Sequence, residues 1–376
     1  MNRALLFLIC APGLLACASE EESADPPRPE PRVAEVDLKI GVAEGKEPYM
    51  FGRISGIAVD EQGRIFVADR QAHEVRVFDS EGTHLFSIGG QGEGPGQLNR
   101  PCCPAFGPKG HLWVRDEQNR RFNRYRLDGQ QAKPAGQIRM THSFFGLMTA
   151  TTFDEKGRLV SVGGQRRESG LSRTVRRHRT LENETARKRL VPEAPDDRVP
   201  AFEFETGGGG TARYPQPMGP RAMHAHAPGG DWAFSITDRY EVVRFNAAGD
   251  TLHVIERSVQ GPTLSSDERE RTKKYLQRVA EQAGTNLGGL PFGVPDRKPP
   301  IGDLFFDAEG HLWVQRSVAD TADHTEADVY DQNGELVDVV RWPKGIELGR
   351  GAIQDGVAYG IRGGRATAPR VVRLRY

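Results

Sequence analysis

The sequence predicts an all-β protein, a six-bladed β-propeller with four-stranded antiparallel blades, and two recurring features support this fold class. A short turn ending in glycine lies between two apolar runs six times, at Gly63, Gly110, Gly157, Gly230, Gly310 and Gly356. After three of these turns a second glycine follows 19 residues later, in the pairs Gly63 and Gly82, Gly110 and Gly129, and Gly230 and Gly249. Glycine adopts the positive φ that tight hairpin turns need. Two hairpins per unit make one blade, and six blades close into a ring.

The two ends of the chain predict how the ring closes. Residues 36–41 alternate apolar and polar side chains, as expected of a strand with one buried face. The last unit supplies only three strands, the third within residues 370–376. We therefore expect the N-terminal strand to become the outer strand of blade six, which would remove an exposed sheet edge.

Two insertions interrupt the repeat, at about residues 181–218 and 259–298. The first contains prolines and the run Gly207 to Gly210, and predicts an extended loop. The second contains one predicted helix at residues 265–283, where Ser265 and Glu268 have the spacing of a capping box. Apolar residues recur at helical spacing in this segment, and we expect that face to pack on its own domain.

The first two units resemble NHL-type repeats. The resemblance rests on GIAVD at 56–60, GRIFVAD at 63–69 and VRVF at 75–78. Residues 88–98 look like the blade-joining segment of bacterial six-bladed β-propeller lipoproteins. This resemblance covers most of residues 34–376 and implies a fold and export from the cytoplasm. It implies no reaction, because the architecture occurs in binding scaffolds and in enzymes.

The N-terminal residues have the pattern of an export signal. Residues 1–16 are interpreted as a lipoprotein signal peptide, with Arg3 before an apolar run. Residues 14–17 resemble a lipobox, which implies lipidation of Cys17; an ordinary signal peptide with a chance cysteine is the alternative. Residues 17–33 are predicted to form a disordered tether, and residues 34–376 the propeller. The protein is expected in the cell envelope, anchored by its lipid to the outer membrane or the cell surface. A location on the periplasmic side of the membrane is an alternative.

The charge balance limits the classes of partner. The chain has 51 basic and 51 acidic side chains, and loss of residues 1–16 removes only Arg3 from this count. A near-neutral protein has no general attraction to nucleic acid or anionic lipid. We therefore expect no nucleic-acid partner and membrane contact through the lipid anchor only. Separately, we expect a monomer that binds a protein, peptide or glycan in the cell envelope.

Two pairs of residues are candidates for chemistry. Three interpretations of Cys102 and Cys103 are open: a vicinal disulfide, two free thiols, or ligation of a metal. His224 and His226 lie two apart on the predicted inner strand of blade four, so both rings would point the same way. They are candidate ligands of a single divalent metal, although zinc would need a third ligand. Packing or surface histidines are the alternative.

The leading functional hypothesis is a binding or scaffold lipoprotein of the cell envelope, without a cofactor. A rigid ring presents many loops on one surface, and no catalytic motif is recognisable. The alternative is a metal-dependent propeller lyase or hydrolase, lactonase-like, that acts in the periplasm or at the cell surface with His224 and His226. An envelope sensor with a membrane partner is a third hypothesis.

Overall fold

The computed structural model describes residues 28–140, 151–166, 172–179, 184–186, 198–205, 211–364 and 367–376. The predicted signal peptide, Cys17 and the first part of the predicted tether lie outside these residues. Within them, no helix is both long and apolar enough to cross a membrane.

The fold is a six-bladed propeller of four-stranded antiparallel blades, as predicted. Two N-terminal strands come first, β1 (Arg32–Val33) and β2 (Glu35–Ile40). Blade one consists of β3 (Ile54–Val59), β4 (Ile65–Asp69), β5 (Glu74–Phe78) and β6 (His84–Gly89). Blade two consists of β7 (Pro101–Phe106), β8 (Leu112–Asp116), β9 (Arg121–Asp128) and β10 (Gln131–Arg139). Blade three consists of β11 (Thr152–Phe153), β12 (Leu159–Arg166), β13 (Ser172–Arg179) and β14 (Glu184–Ala186).

The second half of the chain repeats this pattern after a hairpin of β15 (Ala201–Glu205) and β16 (Thr211–Pro215). Blade four consists of β17 (Ala222–His226), β18 (Trp232–Ile236), β19 (Tyr240–Phe245) and β20 (Thr251–Arg257), and the helix α1 (Ser266–Gln282) follows it. Blade five consists of β21 (Ile301–Phe306), β22 (Leu312–Arg316), β23 (His324–Tyr330) and β24 (Leu336–Pro343). Blade six begins with β25 (Ile346–Gln354), β26 (Val357–Gly364) and β27 (Thr367–Arg375).

The first strands of consecutive blades pack side by side and form the inner wall of the ring. Between blades one and two, the Ser55 hydroxyl donates to the Pro101 carbonyl at 2.7 Å. A Cβ added at Gly56 would lie 2.9 Å from the Cys103 nitrogen, so the two strands are in close contact there. The core lies between blades, in apolar clusters that join blade one to two, four to five, five to six and six to one. These pairs of blades therefore bury apolar faces against each other, as a propeller requires.

The N-terminal strand closes the ring as predicted. β2 pairs antiparallel with β27 and is the outer strand of blade six. A second contact was not predicted: β1 pairs parallel with β24, which adds a fifth strand to blade five. Residues 28–33, assigned to the tether from their composition, thus lie against the ring in the structure.

The two insertions differ in how well the sequence predicted them. The first was expected to be an extended loop, and it contains the β15–β16 hairpin instead. The helix of the second is confirmed: Ser265 is its N-cap, and Ser265 and Glu268 form the capping box. Leu276, Val279 and Ala280 are buried, which confirms that the apolar face packs on the same chain.

Candidate binding face of the ring

The two ends of the ring carry different kinds of connection. Because the strands of a blade alternate in direction, the tight turns between strands one and two and between strands three and four share one end. We call this end the turn face. Connections between strands two and three, and between successive blades, share the other end, which we call the connection face. Loops on a rigid scaffold are the usual place for binding groups, and the longer loops are all on the connection face.

Both insertions belong to the connection face, and they contact each other. The Tyr214 hydroxyl of the hairpin lies 3.2 Å from the side-chain oxygen of Gln282, at the end of α1. The Gln216 amide donates to the Gly293 carbonyl at 3.0 Å. The start of α1 is held to the ring, since the Ser265 hydroxyl lies 3.1 Å from Asp320 in the loop between β22 and β23. The two insertions are therefore in contact with each other, and the second is also held to blade five.

Four arginines gather on the same face where blades one and two meet. Arg53 precedes β3, Arg70 follows β4, Arg100 precedes β7 and Arg115 lies in β8. Arg70 and Arg115 both bind Glu117, with N–O distances of 2.6 and 3.1 Å. The backbone holds the group together, since the Arg70 nitrogen donates to the Arg53 carbonyl at 2.8 Å. These residues are called the arginine cluster below.

The electrostatics of the arginine cluster reflect an excess of positive charge. Burial lowers the pKa of Arg70 below its usual value, and the charges of Arg100 and Arg53 lower it further, while Glu117 opposes the shift. Burial also lowers the pKa of Arg115, with a smaller contribution from Arg70 in the same direction. Glu117 pairs with two of the four arginines, while the buried carboxylates of Asp69 and Asp116 beside them bind backbone nitrogens.

Cys102 and Cys103 lie beside this cluster. Their sulfur atoms are joined in a vicinal disulfide, at the start of the inner strand β7. Cys102 is fully buried, and an Arg115 N–H donates to its sulfur at 3.3 Å. Cys103 has a positive φ of 55° and is partly exposed. The disulfide therefore forms a fixed apolar wall next to the buried guanidinium of Arg115.

His224 and His226 lie on β17, the inner strand of blade four, with their ring centroids 5.8 Å apart. His226 is buried, and His224 is partly exposed. Neither belongs to a group of three or more metal-ligating side chains among the residues that the structure describes. The structure thus brings the two rings together and supplies no third described ligand, and metal binding at this pair stays a prediction.

The described residues that do form such a group are Asp307, Glu309 and His311, in a tight turn of blade five. Here Asp307 accepts hydrogen bonds from the backbone nitrogens of Glu309 and His311 and from the Trp313 indole. Asp60 and Asp154 accept the same backbone hydrogen bonds in the turns of blades one and three. The group of Asp307, Glu309 and His311 is therefore explained by an aspartate that caps the same turn in several blades.

Sequence reasoning missed the arginine cluster. Its four arginines are separated by up to 62 positions and come from four different segments, so no local motif marks them. The available signal was a basic residue next to each of Asp69 and Asp116, which end the second strands of blades one and two. Both aspartates bind backbone nitrogens of neighbouring connections, Arg53 and Asn99 among them, and so hold this face together.

Comparisons with known proteins support the fold. The sequence profile of a family described as "6-bladed beta-propeller" matches residues 44–130. The brain tumor protein of Drosophila melanogaster is 32% identical over 129 residues, which are 33% of this chain and only 11% of that protein.

Two solved structures are similar over most of the chain. A putative exported protein from Bacteroides fragilis NCTC 9343 has a TM-score of 0.50 and 13% identity, covering 91% of this chain and 95% of that one. Virginiamycin B lyase from Staphylococcus aureus has a TM-score of 0.41 and 10% identity, covering 91% and 99%. The predicted resemblance to bacterial six-bladed propellers is confirmed, and identities this low show the fold alone.

Proposed function

We propose that the protein is a binding module of the cell envelope, anchored through Cys17, which holds its ligand on the connection face. The observation that carries the proposal is the convergence on one face of both insertions and the arginine cluster. The described turns of the turn face, by contrast, are short, and aspartates such as Asp60 and Asp154 bind backbone nitrogens within them.

The ligand class is a protein, peptide or glycan. A rigid ring that presents several loops suits an extended surface ligand, because little conformational entropy is lost when a preorganised surface binds. Export and lipid anchoring belong to the proposal and follow from the N-terminal sequence pattern. The fold itself is compatible with either binding or catalysis.

Site-specific photo-crosslinking in intact envelopes tests this proposal. A crosslinking side chain is placed at Arg120 or Arg239 on the connection face, and at Glu61 or Lys156 on the turn face; all four residues are exposed. We expect the same adduct from both positions on the connection face and none from the turn face. Adducts confined to the turn face would overturn the proposal.

The alternative function is a metal-dependent lyase or hydrolase, and one observation favours keeping it. His224 and His226 lie side by side on an inner strand, as ligands of a metal at the centre of the ring would. Elemental mass spectrometry of the untagged protein separates the two functions. One metal per chain, lost when both histidines become alanine, would favour the enzyme.

A further inference from the structure

The arginine cluster has more positive charge than its own acidic residue neutralises. Glu117 is shared between Arg70 and Arg115, while Arg53 and Arg100 are exposed. The Nε atom of Arg70 is buried and makes no hydrogen bond within the described part of the chain. Bringing like charges together in a partly buried place is unfavourable unless an anion offsets them.

Two arginines of the cluster are already held in fixed positions, as in a site that binds an anion and unlike freely solvated side chains. Arg115 is 2% exposed and fixed by Glu117 and the Cys102 sulfur, so its guanidinium is already ordered. Arg70 is fixed by the same carboxylate. Guanidinium groups bind carboxylates and phosphates through paired hydrogen bonds, and ordering them in advance reduces the entropy lost on binding.

We propose that the arginine cluster binds an oxyanion group, a carboxylate or a phosphate, carried by the ligand. This inference rests on the proposed function, since it names the chemistry of a ligand on the same face. Arg53 and Arg100 contact the anion from the exposed side, Arg70 and Arg115 provide the buried positive charge, and the Cys102–Cys103 disulfide forms the adjoining wall.

Isothermal titration calorimetry with inorganic phosphate and with citrate, against sodium chloride at matched ionic strength, tests the inference. We expect phosphate or citrate to bind the wild type above the chloride background, and the better of the two identifies the oxyanion. Each charge-assisted hydrogen bond contributes enough that the double variant R53Q/R100Q should bind at least about tenfold more weakly. Both side chains are exposed, so the variant should keep its fold.

Two further variants separate anion binding from a purely structural role. Lys156→Gln removes a positive charge from an exposed site on the turn face, and should leave binding unchanged. Glu117→Gln removes the internal carboxylate, so the cluster should bind phosphate or citrate severalfold more tightly. If the arginines only stabilised the fold, Glu117→Gln would not strengthen binding.

The outcomes distinguish this inference from the proposed function. No preference for phosphate or citrate over chloride, or binding unchanged in both R53Q/R100Q and Glu117→Gln, would overturn the inference. If crosslinks still formed from Arg120 and Arg239 in that case, the connection face would remain the proposed binding surface although the inference about the anion had failed. Anion binding at the cluster together with crosslinks confined to the turn face would overturn the proposed function instead.

Discussion

Removing the side chain of Arg28 should destabilise the propeller although this residue lies before its first strand. The Arg28 guanidinium reaches Glu326 at 2.5 Å and donates from Nε to Asp328 at 2.8 Å. Asp328 is completely buried and also accepts a hydrogen bond from the Tyr240 hydroxyl at 2.6 Å. Glu326 is 6% exposed and also pairs with Arg341. Arg28→Ala would remove the closer of the two arginines that pair with both buried carboxylates; the other, Arg316, lies 3.5–3.7 Å from them.

The size of the effect follows from burial. Removing one partner of a buried ion pair typically costs about 3–5 kcal/mol, because the other charge stays out of water. The Arg28 side chain is 22% exposed, so water partly screens its ion pairs. After its removal, Arg341 and Arg316 still lie near the carboxylates, which reduces the loss. We therefore expect Arg28→Ala to lower the free energy of unfolding by about 2–3 kcal/mol. The free energy of unfolding of Arg28→Lys should lie between those of the wild type and Arg28→Ala. A lysine ammonium keeps the positive charge but cannot bind both carboxylates as the planar guanidinium does.

Unfolding in urea, followed by tryptophan fluorescence, measures this effect. Trp313 and Trp342 are both 1% exposed in the cluster between blades five and six, so they report on this part of the ring. Arg32→Ala is the matched control, because Arg32 pairs with Asp338 at 2.9 Å while 52% exposed. Such a pair contributes about 1 kcal/mol or less. If Arg28→Ala and Arg32→Ala lowered the free energy of unfolding equally, burial would not explain the effect of Arg28.

The same contact predicts a dependence on pH. Burial alone would raise the pKa of Glu326, but the hydrogen bonds from Arg28 and Arg341 outweigh it and hold the pKa below its usual 4.5. A carboxyl whose folded pKa is lowered stabilises the fold above its unfolded pKa, and this contribution is lost as pH falls through the folded value. The difference between wild type and Arg28→Ala should therefore be full at neutral pH and shrink as the pH falls below the usual pKa of 4.5. A difference that grew on acidification would contradict this assignment.

Three further predictions concern the helix, the inner wall and the histidine pair. Ser265→Ala removes the capping hydrogen bond of α1 and should cost about 1 kcal/mol in urea unfolding, and no loss would contradict the capping role. Gly56→Ala should destabilise strongly, because its Cβ would lie 2.8 Å from Pro104 and 2.9 Å from the Cys103 nitrogen; Gly293→Ala, with open space around it, is the control and should not. Replacing His224 and His226 by alanine should leave the metal content unchanged by elemental mass spectrometry, because no described side chain completes a site; loss of one metal per chain would contradict this expectation.

The repeat made most of the fold predictable from sequence. Each blade is a local structure, with short hairpins whose glycines have positive φ, such as Gly63 at 77° and Gly310 at 85°. Ring closure was also predictable, because residues 36–41 alternate in polarity and the last unit lacks a strand. The β15–β16 hairpin was missed although Phe202 and Phe204 alternate with charged residues. The adjacent run Gly207 to Gly210, which lies outside the described residues, indicated a loop and drew the prediction away from a hairpin.

Long-range charge pairing was not predictable in the same way. Arg28 lies in a proline-rich acidic segment, whose composition is typical of a tether, and its partners are 298 and 300 positions away. The arginine cluster likewise depends on where separate blades bring their ends together. Patterns of period two determine which face of a strand is buried, but they carry no information on which distant charge meets it.

The contact of Arg28 with blade five also limits how far the ring can move from its proposed anchor. An extended chain spans at most about 3.6 Å per residue, so a chain from Cys17 to Ala34 could reach about 60 Å. With Arg28 fixed on blade five, only the eleven steps from Cys17 remain, and the reach falls to about 40 Å. The ion pairs of Arg28, more than the length of the acidic segment, would then set the distance over which the connection face can meet a ligand.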